Sequence, residues 1–194
     1  MNQKLEAFRD EIRGKTVSVV GLGVSNTPVI DFLLSCGASV VGRDKKDAVA
    51  LGTLADTLAE KGVDLRLGAQ YLDDLCEDVI FKAPGIRPDL PEFLAAQDNG
   101  SALTSEMEVF LALCPAAVFA VTGSDGKTTT TTLIYTMLKA QAEKDGTGKT
   151  VWVGGNIGKP LLPEIESIAE DDFVVLELSS FQLQALKTGR SLQS

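Results

Sequence analysis

The sequence predicts an α/β protein with mostly parallel sheets, built as two successive units. Short apolar runs alternate with helical patterns along the chain, glycine turns follow several of these runs, and a phosphate-loop sequence leads into one helix. Such alternation favours parallel strands joined by crossover helices. The 194 residues are enough for one large domain or two small ones.

The first unit contains five predicted strands and two predicted helices. The strands are 16–23 (TVSVVGLG), 38–44 (ASVVGRD) and the later runs DLRLG, DVIFKAPG and SALTS. One helix covers 27–37, where Pro28 suits the first turn and Gly37 suits the exit. The other covers 48–62 and is closed by Gly62.

The second unit begins near Glu106 and is shorter. A helix in EMEVFLALCP is stopped by Pro115. Then follow a strand at 116–123, a helix at 127–144 and two strands at 150–155 and 172–180. The sequence therefore predicts two domains, 1–103 and 104–194, with the boundary between about 103 and 116.

Composition excludes several classes of function. The net charge is -9 and no run of lysines or arginines occurs, which argues against a nucleic-acid surface. No apolar run approaches the ~20 residues that span a membrane, and the charged N-terminus is not a signal peptide. The chain has no histidine, the commonest general base, and its three well-separated cysteines suit reduced thiols. These features predict a cytoplasmic enzyme or binding protein.

The first glycine turn resembles an incomplete dinucleotide fingerprint. Gly21 and Gly23 are present, but Asn26 replaces the third glycine. The turn is either a tight strand-to-helix connection, or a helix start that offers backbone N–H groups, Ser25 and Asn26 to a diphosphate or a base. Asp44 ends the second strand at the spacing of a carboxylate that contacts a ribose or base.

A second turn, with Pro84 and Gly85, follows a later strand. It is either a plain loop or part of the same ligand site. The second interpretation follows because ligands of parallel sheets bind at the carboxyl ends of the strands.

The sequence TGSDGKTT predicts a shortened phosphate loop. Gly126, Lys127 and Thr128 form its core, and Val121 occupies the position where the standard pattern has its first glycine. Lys127 is expected to reach the terminal phosphates, and the Thr128 hydroxyl to ligate Mg²⁺. The alternative is a glycine turn with a chance lysine, but the preceding strand and following helix are the context that the motif requires.

Asp125 lies within this loop, where an acid is unexpected. Two unit charges ~4 Å apart repel by about 4 kcal/mol at an effective dielectric of 20. We therefore expect the carboxylate to point away from the phosphates and the residue to shape the turn. The alternative is a water-mediated role at the metal.

Glu177 is an acid near the end of an apolar strand. A buried glutamate without a lysine nearby needs a cation, and magnesium beside the phosphate loop is the candidate. The alternative is a glutamate on the surface of an edge strand. Polar residues gather at neighbouring strand ends: Asn156, Ser179, Ser180 and Gln182.

Together these motifs resemble the Mur ligases. In the second unit the resemblance rests on VTGSDGKTTT, GGNIGKP and LELSSFQL, and in the first on VVGLGVSN, APGI and TSEMEVF. It covers essentially the whole chain. The motif LELSSFQL is most similar to the family member that adds D-glutamate to UDP-N-acetylmuramoyl-L-alanine.

The resemblance implies a Rossmann-like first domain that holds the UDP-linked substrate and a partial ATP-binding central domain. It implies transfer of a phosphoryl group from ATP to the substrate carboxylate, followed by attack of the D-glutamate amine, in peptidoglycan precursor synthesis. Lys127 and Glu177 would be catalytic, and Thr128 and Glu177 would bind Mg²⁺. The implied ATP-binding residues are Gly123, Ser124, Asp125, Gly126, Lys127, Thr128 and Thr129. The implied substrate-binding residues are Ser25, Asn26, Asp44, Lys45, Pro84, Gly85, Asn156, Ser180 and Gln182.

The sequence departs from the family pattern in two respects. Asp125 stands where the family usually has asparagine. The family also continues past LELSSFQL with a histidine, a modified lysine and a C-terminal domain that holds the amino acid, so we expect a fragment that is inactive alone. Two alternatives stay open: a non-catalytic module that binds uridine nucleotides, and another P-loop phosphotransferase.

Overall fold

Two parallel sheets organise the computed structural model, which describes residues 2–23 and 26–188. The first sheet has the strand order β3-β2-β1-β4-β5 and the second has the order β6-β8-β7. All strand pairs in both sheets are parallel among the described residues, so the predicted fold class is confirmed. The strands are β1 Thr16–Val20, β2 Ser39–Asp44, β3 Asp64–Leu67, β4 Val79–Lys82, β5 Ala102–Thr104, β6 Ala117–Val121, β7 Val151–Gly155 and β8 Phe173–Glu177.

Helices cover the sheets and join them. They are α1 Gln3–Ile12, α2 Thr27–Ser35, α3 Ala48–Leu51, α4 Thr53–Glu60, α5 Pro91–Asp98, α6 Glu106–Leu113, α7 Lys127–Asp145 and α8 Ser180–Thr188, with a 3₁₀ helix at Leu162–Ser167. Helix α6 follows β5 and precedes β6, and it packs against the 3₁₀ helix of the second unit. One hydrophobic core includes residues of β1, α2, α6, the 3₁₀ helix and β8. The division into domains at 103 stays a prediction.

The predicted helix at 48–62 is wrong in one respect, because the chain forms two helices there. Gly52 separates α3 from α4 with φ 57° and ψ −136°, a conformation open to glycine but not to other residues. Glycine inside a helical pattern is often tolerated, and here it breaks the helix instead. The last predicted strand is also too long, because β8 ends at Glu177 and α8 begins at Ser180.

Three α-helices were not predicted, namely α1, α5 and the helix α8 that follows the shortened last strand. Helix α1 lies in the charged N-terminal segment and buries Leu5, Phe8 and Ile12. Phe8 stacks on Phe32 of α2 with 6.0 Å between ring centroids. Helix α5, which begins at Pro91, was not predicted either.

Neither a membrane span nor a disulfide occurs in the described part of the chain. No described helix combines the length and the apolar character needed to cross a bilayer. Cys36, Cys76 and Cys114 are free thiols.

A buried ion pair holds the connection between β3 and β4. The Nη2 atom of Arg43 lies 2.7 Å from Glu77 Oε1, and both side chains are nearly inaccessible to solvent. The Nη1 atom of Arg43 donates to the carbonyl oxygens of Tyr71 and Asp73 at 3.0 and 2.9 Å. A buried guanidinium requires such partners, so this segment is fixed to the sheet.

We expect Glu77→Ala to lower the free energy of unfolding by about 3–5 kcal/mol, because it leaves the Arg43 charge buried and uncompensated. Urea unfolding followed by circular dichroism measures the change. The matched control is Asp64→Ala, which removes the exposed partner of Arg66 and is expected to cost less than about 1 kcal/mol. Equal losses of unfolding free energy in the two variants would contradict a stabilising role for the buried ion pair of Arg43 and Glu77.

Candidate functional site

The phosphate loop joins β6 to α7. Gly126 adopts the left-handed conformation, with φ 73°, directly before the first residue of the helix. The Nζ atom of Lys127 donates to the carbonyl oxygens of Gly123 and Ser124 at 2.8 and 3.1 Å. The loop therefore folds around its lysine at the start of a 19-residue helix, where unpaired N–H groups favour anions.

Glu177 lies next to this loop and is 2% exposed. It ends β8, the central strand of the second sheet, so the alternative of a surface glutamate on an edge strand is wrong. The Thr128 hydroxyl donates to Glu177 Oε2 at 2.7 Å, and Asn156 Nδ2 donates to Oε1 at 3.1 Å. The three residues come from three separate segments, namely the first turn of α7, the turn after β7 and the end of β8.

This cluster fits a magnesium ion. Both hydrogen-bond donors to the Glu177 carboxylate are neutral, and no described lysine or arginine lies within salt-bridge distance of it. A buried carboxylate with neutral partners retains its need for a cation. Carboxylate and hydroxyl oxygens are the ligand types that Mg²⁺ prefers. The metal-binding roles of Thr128 and Glu177 stay predictions.

The turn after β7 depends on a glycine. Gly155 has φ 94°, and a Cβ atom built on it would lie 2.2 Å from the carbonyl oxygen of Glu177. The backbone N–H of Asn156 donates to that same oxygen at 2.8 Å. Only glycine allows this close approach, which places the Asn156 amide beside the Glu177 carboxylate.

The first glycine turn brings the ends of β1 and β4 together. A Cβ atom at Gly21 would lie 2.8 Å from the Cβ atom of Ala83. Asp44 is buried, and its two oxygens accept from the N–H groups of Leu22 and Lys46 at 2.7 and 2.9 Å. The carboxylate thus has a structural role, because it fixes the turns after β1 and β2. The binding of substrate by Asp44 stays a prediction.

A cavity of about 240 Å³ lies where the carboxyl ends of both sheets meet. Four residues predicted to bind substrate line it: Asn26 and Pro84 from the first unit, and Asn156 and Gln182 from the second. The structure therefore brings together side chains that are up to 156 positions apart in the sequence, from Asn26 to Gln182.

The other predicted residues lie outside this cavity. Lys45, Gly85 and Ser180 are exposed, and Ser25 falls outside the described residues. In the phosphate loop, Ser124, Asp125 and Thr129 are exposed, and the direction of the Asp125 carboxylate stays a prediction. A larger cavity of about 770 Å³ runs along β3 but contains none of the predicted residues.

Sequence reasoning did not single out Glu106, the first residue of α6. It is buried and lines the 240 Å³ cavity. Its Oε1 atom accepts from the N–H groups of Leu161 and Leu162 at 3.1 and 3.0 Å, at the start of the 3₁₀ helix. Burial raises the pKa of Glu106, and these two hydrogen bonds oppose that shift.

Gln182 has a structural role that its sequence context shows. Its Oε1 atom accepts from Ser179 N and Oγ at 2.9 and 3.0 Å, and its own N–H donates to Ser179 Oγ at 3.2 Å. This is the reciprocal pairing of a capping box at the start of α8, for which the sequence S-x-x-Q is the signature. The pairing fixes the direction of the amide at the cavity wall.

Comparison with known proteins identifies relatives of this chain. The family model of the Mur ligase middle domain matches residues 121–193. The UDP-N-acetylmuramoylalanine–D-glutamate ligase of Clostridium kluyveri is 51% identical over 187 residues, which are 96% of this chain and 40% of that protein. The ligase of the same name from Clostridium botulinum is 54% identical over the same lengths.

The chain therefore spans about 40% of the length of these relatives. A crystal structure of a murein peptide ligase from Psychrobacter arcticus is 18% identical, with a TM-score of 0.49, over 87% of this chain and 38% of that one. The identity to the two clostridial ligases over 96% of this chain and the match of residues 121–193 to the Mur ligase middle domain show that the chain belongs to the Mur ligase family.

Proposed function

We propose that the protein is part of a cytoplasmic, ATP-dependent ligase that adds D-glutamate to UDP-N-acetylmuramoyl-L-alanine in peptidoglycan precursor synthesis. The observation that carries this proposal is the contact of Thr128 and Asn156 with the buried Glu177 carboxylate beside the phosphate loop. The names and the high identity of the clostridial relatives support the choice of substrates.

The reaction forms an acyl phosphate and then an amide. A carboxylate oxygen of the substrate bonds to the γ-phosphorus of ATP, and the bond to the ADP oxygen breaks. The D-glutamate amine then bonds to the acyl carbon, inorganic phosphate leaves, and the amine loses a proton. Such transfer needs positioning and charge stabilisation more than a protein nucleophile.

The residues of the site have distinct roles in this proposal. Lys127 binds the terminal phosphates and stabilises the charge that develops on them. Glu177 and Thr128 would hold Mg²⁺, which when bound neutralises phosphate charge. Asn156 orients Glu177 through its amide and lines the 240 Å³ cavity.

The first test is calorimetry of the 194-residue chain with UDP-N-acetylmuramoyl-L-alanine and with Mg-ATP. We expect both to bind. Absence of binding by the UDP-linked compound would contradict the proposed substrate. Binding of that compound without any binding of Mg-ATP would favour a non-catalytic uridine-nucleotide module.

We expect Lys127→Ala to weaken Mg-ATP binding by about 10- to 100-fold, because it removes charge-assisted hydrogen bonds to phosphate. Binding of the UDP-linked substrate is expected to stay unchanged. Calorimetry measures both. The matched control is Lys139→Ala, which removes an exposed lysine about 18 Å further along the same helix. A similar loss in both variants would show a nonspecific charge effect and contradict the role of Lys127.

A further inference from the structure

The β7 loop, residues 156–161 between β7 and the 3₁₀ helix, is held by hydrogen bonds at both ends. At its start, the backbone N–H of Asn156 donates to the carbonyl oxygen of Glu177 at 2.8 Å, and Asn156 Nδ2 donates to Glu177 Oε1 at 3.1 Å. At its end, the N–H groups of Leu161 and Leu162 donate to Glu106 Oε1 at 3.1 and 3.0 Å. One end of the loop therefore contacts the proposed magnesium ligand, and the other contacts a carboxylate of α6.

The β7 loop is folded closely onto the strand that precedes it. A Cβ atom built on Gly154 would lie 2.6 Å from Leu161 Cγ and 3.1 Å from the carbonyl oxygen of Lys159. Gly158 has φ 75°, and a Cβ atom there would lie 3.2 Å from the carbonyl oxygen of Val153. Because close-packed segments transmit displacements, a shift at the end of this loop is expected to reach its start.

Glu106 is the stronger of two polar contacts between the 3₁₀ helix and the helices of the first unit. Its side chain is buried, and hydrogen bonds to an ionised acceptor are stronger than those between neutral groups. The N–H groups that it binds lie at the start of the 3₁₀ helix, where they have no partner within the helix. The other contact joins Arg9 of α1 to Glu166, whose side chain is 58% exposed, and exposed ion pairs contribute little.

We propose that Glu106 is a positioning residue for the Mg-ATP site. By accepting from the N–H groups of Leu161 and Leu162, it fixes the β7 loop, and Asn156 at the start of that loop orients the Glu177 carboxylate. This role requires the accepting oxygen of Glu106 rather than its negative charge. The inference rests on the proposed function, in which Glu177 binds magnesium, and it extends that site to the helix that follows β5.

The experiment measures the affinity for ATP by calorimetry on the 194-residue chain, once with magnesium and once with EDTA. We expect Glu106→Ala to weaken Mg-ATP binding by about tenfold, the lower end of the range for groups that support a metal site. The affinity for ATP in EDTA is expected to stay within about twofold, because Lys127 and the N–H groups of the phosphate loop bind phosphate directly. A general loss of structure would lower both affinities, so their ratio separates positioning from folding.

Glu106→Gln and Glu166→Ala are the matched variants. The glutamine oxygen can still accept from Leu161 and Leu162, so we expect the ratio of the two affinities to stay within about twofold of its value in the unaltered protein. Glu166→Ala removes the exposed contact with Arg9 from the same 3₁₀ helix and is expected to leave the ratio unchanged. If Glu106→Gln loses as much affinity for Mg-ATP as Glu106→Ala, the charge matters rather than the accepting oxygen, and the inference is wrong.

Gly154→Ala displaces the same loop from the side of β7 and is the second variant where Glu106→Ala does not fold. Its new Cβ atom would displace Leu161, and we expect the same selective loss of affinity for Mg-ATP. Unchanged affinity for Mg-ATP in these variants, or an equal loss with and without magnesium, overturns the inference and leaves the proposed function intact. If the unaltered chain does not bind Mg-ATP, the proposed function is wrong as well.

Discussion

Gly155→Ala is expected to lower the free energy of unfolding by at least about 3 kcal/mol and to abolish Mg-ATP binding. The new Cβ atom would lie 2.2 Å from the carbonyl oxygen of Glu177, far inside contact distance, at a residue with φ 94°. Backbone of β7 or β8 would have to move, which costs strain in a close-packed sheet. That movement would break the hydrogen bond from Asn156 N to Glu177 O and displace both side chains.

Gly146→Ala separates the cost of a positive φ from the cost of the steric clash with the Glu177 carbonyl oxygen. Gly146 also has a positive φ, 58°, but a Cβ atom there would meet nothing within 4 Å. Its replacement is expected to cost about 1 kcal/mol and to leave Mg-ATP affinity unchanged. Urea unfolding and calorimetry measure both variants. A Gly155→Ala protein as stable as Gly146→Ala would show that the close approach of the two strands is not required.

Prediction from the sequence succeeded where local patterns coincide with tertiary structure. Strand–helix alternation was sufficient for two parallel sheets, and the phosphate loop was recognisable because its context of strand and helix is itself local. Glu177 was identifiable because an acid inside an apolar run is costly unless a partner is present. Its partners Thr128 and Asn156 are observed at hydrogen-bond distance.

Prediction failed where a residue's role depends on distant backbone. Helix α1 was overlooked because its charged residues dominate the composition, although Leu5, Phe8 and Ile12 recur at helical spacing and are buried. Glu106 has the sequence context of an ordinary acid in the first turn of a helix. Only the fold reveals that the N–H groups of Leu161 and Leu162, more than 50 residues away, bind its carboxylate.

Glu177→Gln is expected to weaken Mg-ATP binding by at least about 10- to 100-fold, the range found when groups that support a metal site are removed. The free energy of unfolding without magnesium is expected to change by less than about 1 kcal/mol or to rise. The glutamine oxygen can accept from Asn156 Nδ2, its amide can donate to the Thr128 hydroxyl, and the buried charge disappears.

Asp172→Asn tests whether these effects are specific to the site. Asp172 directly precedes β8, at the opposite end from Glu177, and accepts from Thr150 N, Ala169 N and Trp152 Nε1. Burial by itself would raise the pKa of Asp172, but these hydrogen bonds outweigh burial and lower it. Replacing one acceptor oxygen by an amide is expected to cost about 1.5–3 kcal/mol of stability while the folded protein keeps its affinity for Mg-ATP.

The two variants are therefore expected to show opposite effects, with binding lost and stability kept in Glu177→Gln, and stability lost and binding kept in Asp172→Asn. This contrast follows from what each carboxylate contacts. Asp172 accepts from three N–H donors, which an amide with one oxygen cannot all satisfy, whereas Glu177 has two neutral partners that an amide also satisfies. Because its protein partners do not require the negative charge of Glu177, we infer that the charge serves to bind a cation. Equal Mg-ATP affinity in Glu177→Gln and in the unaltered protein would refute this role of Glu177.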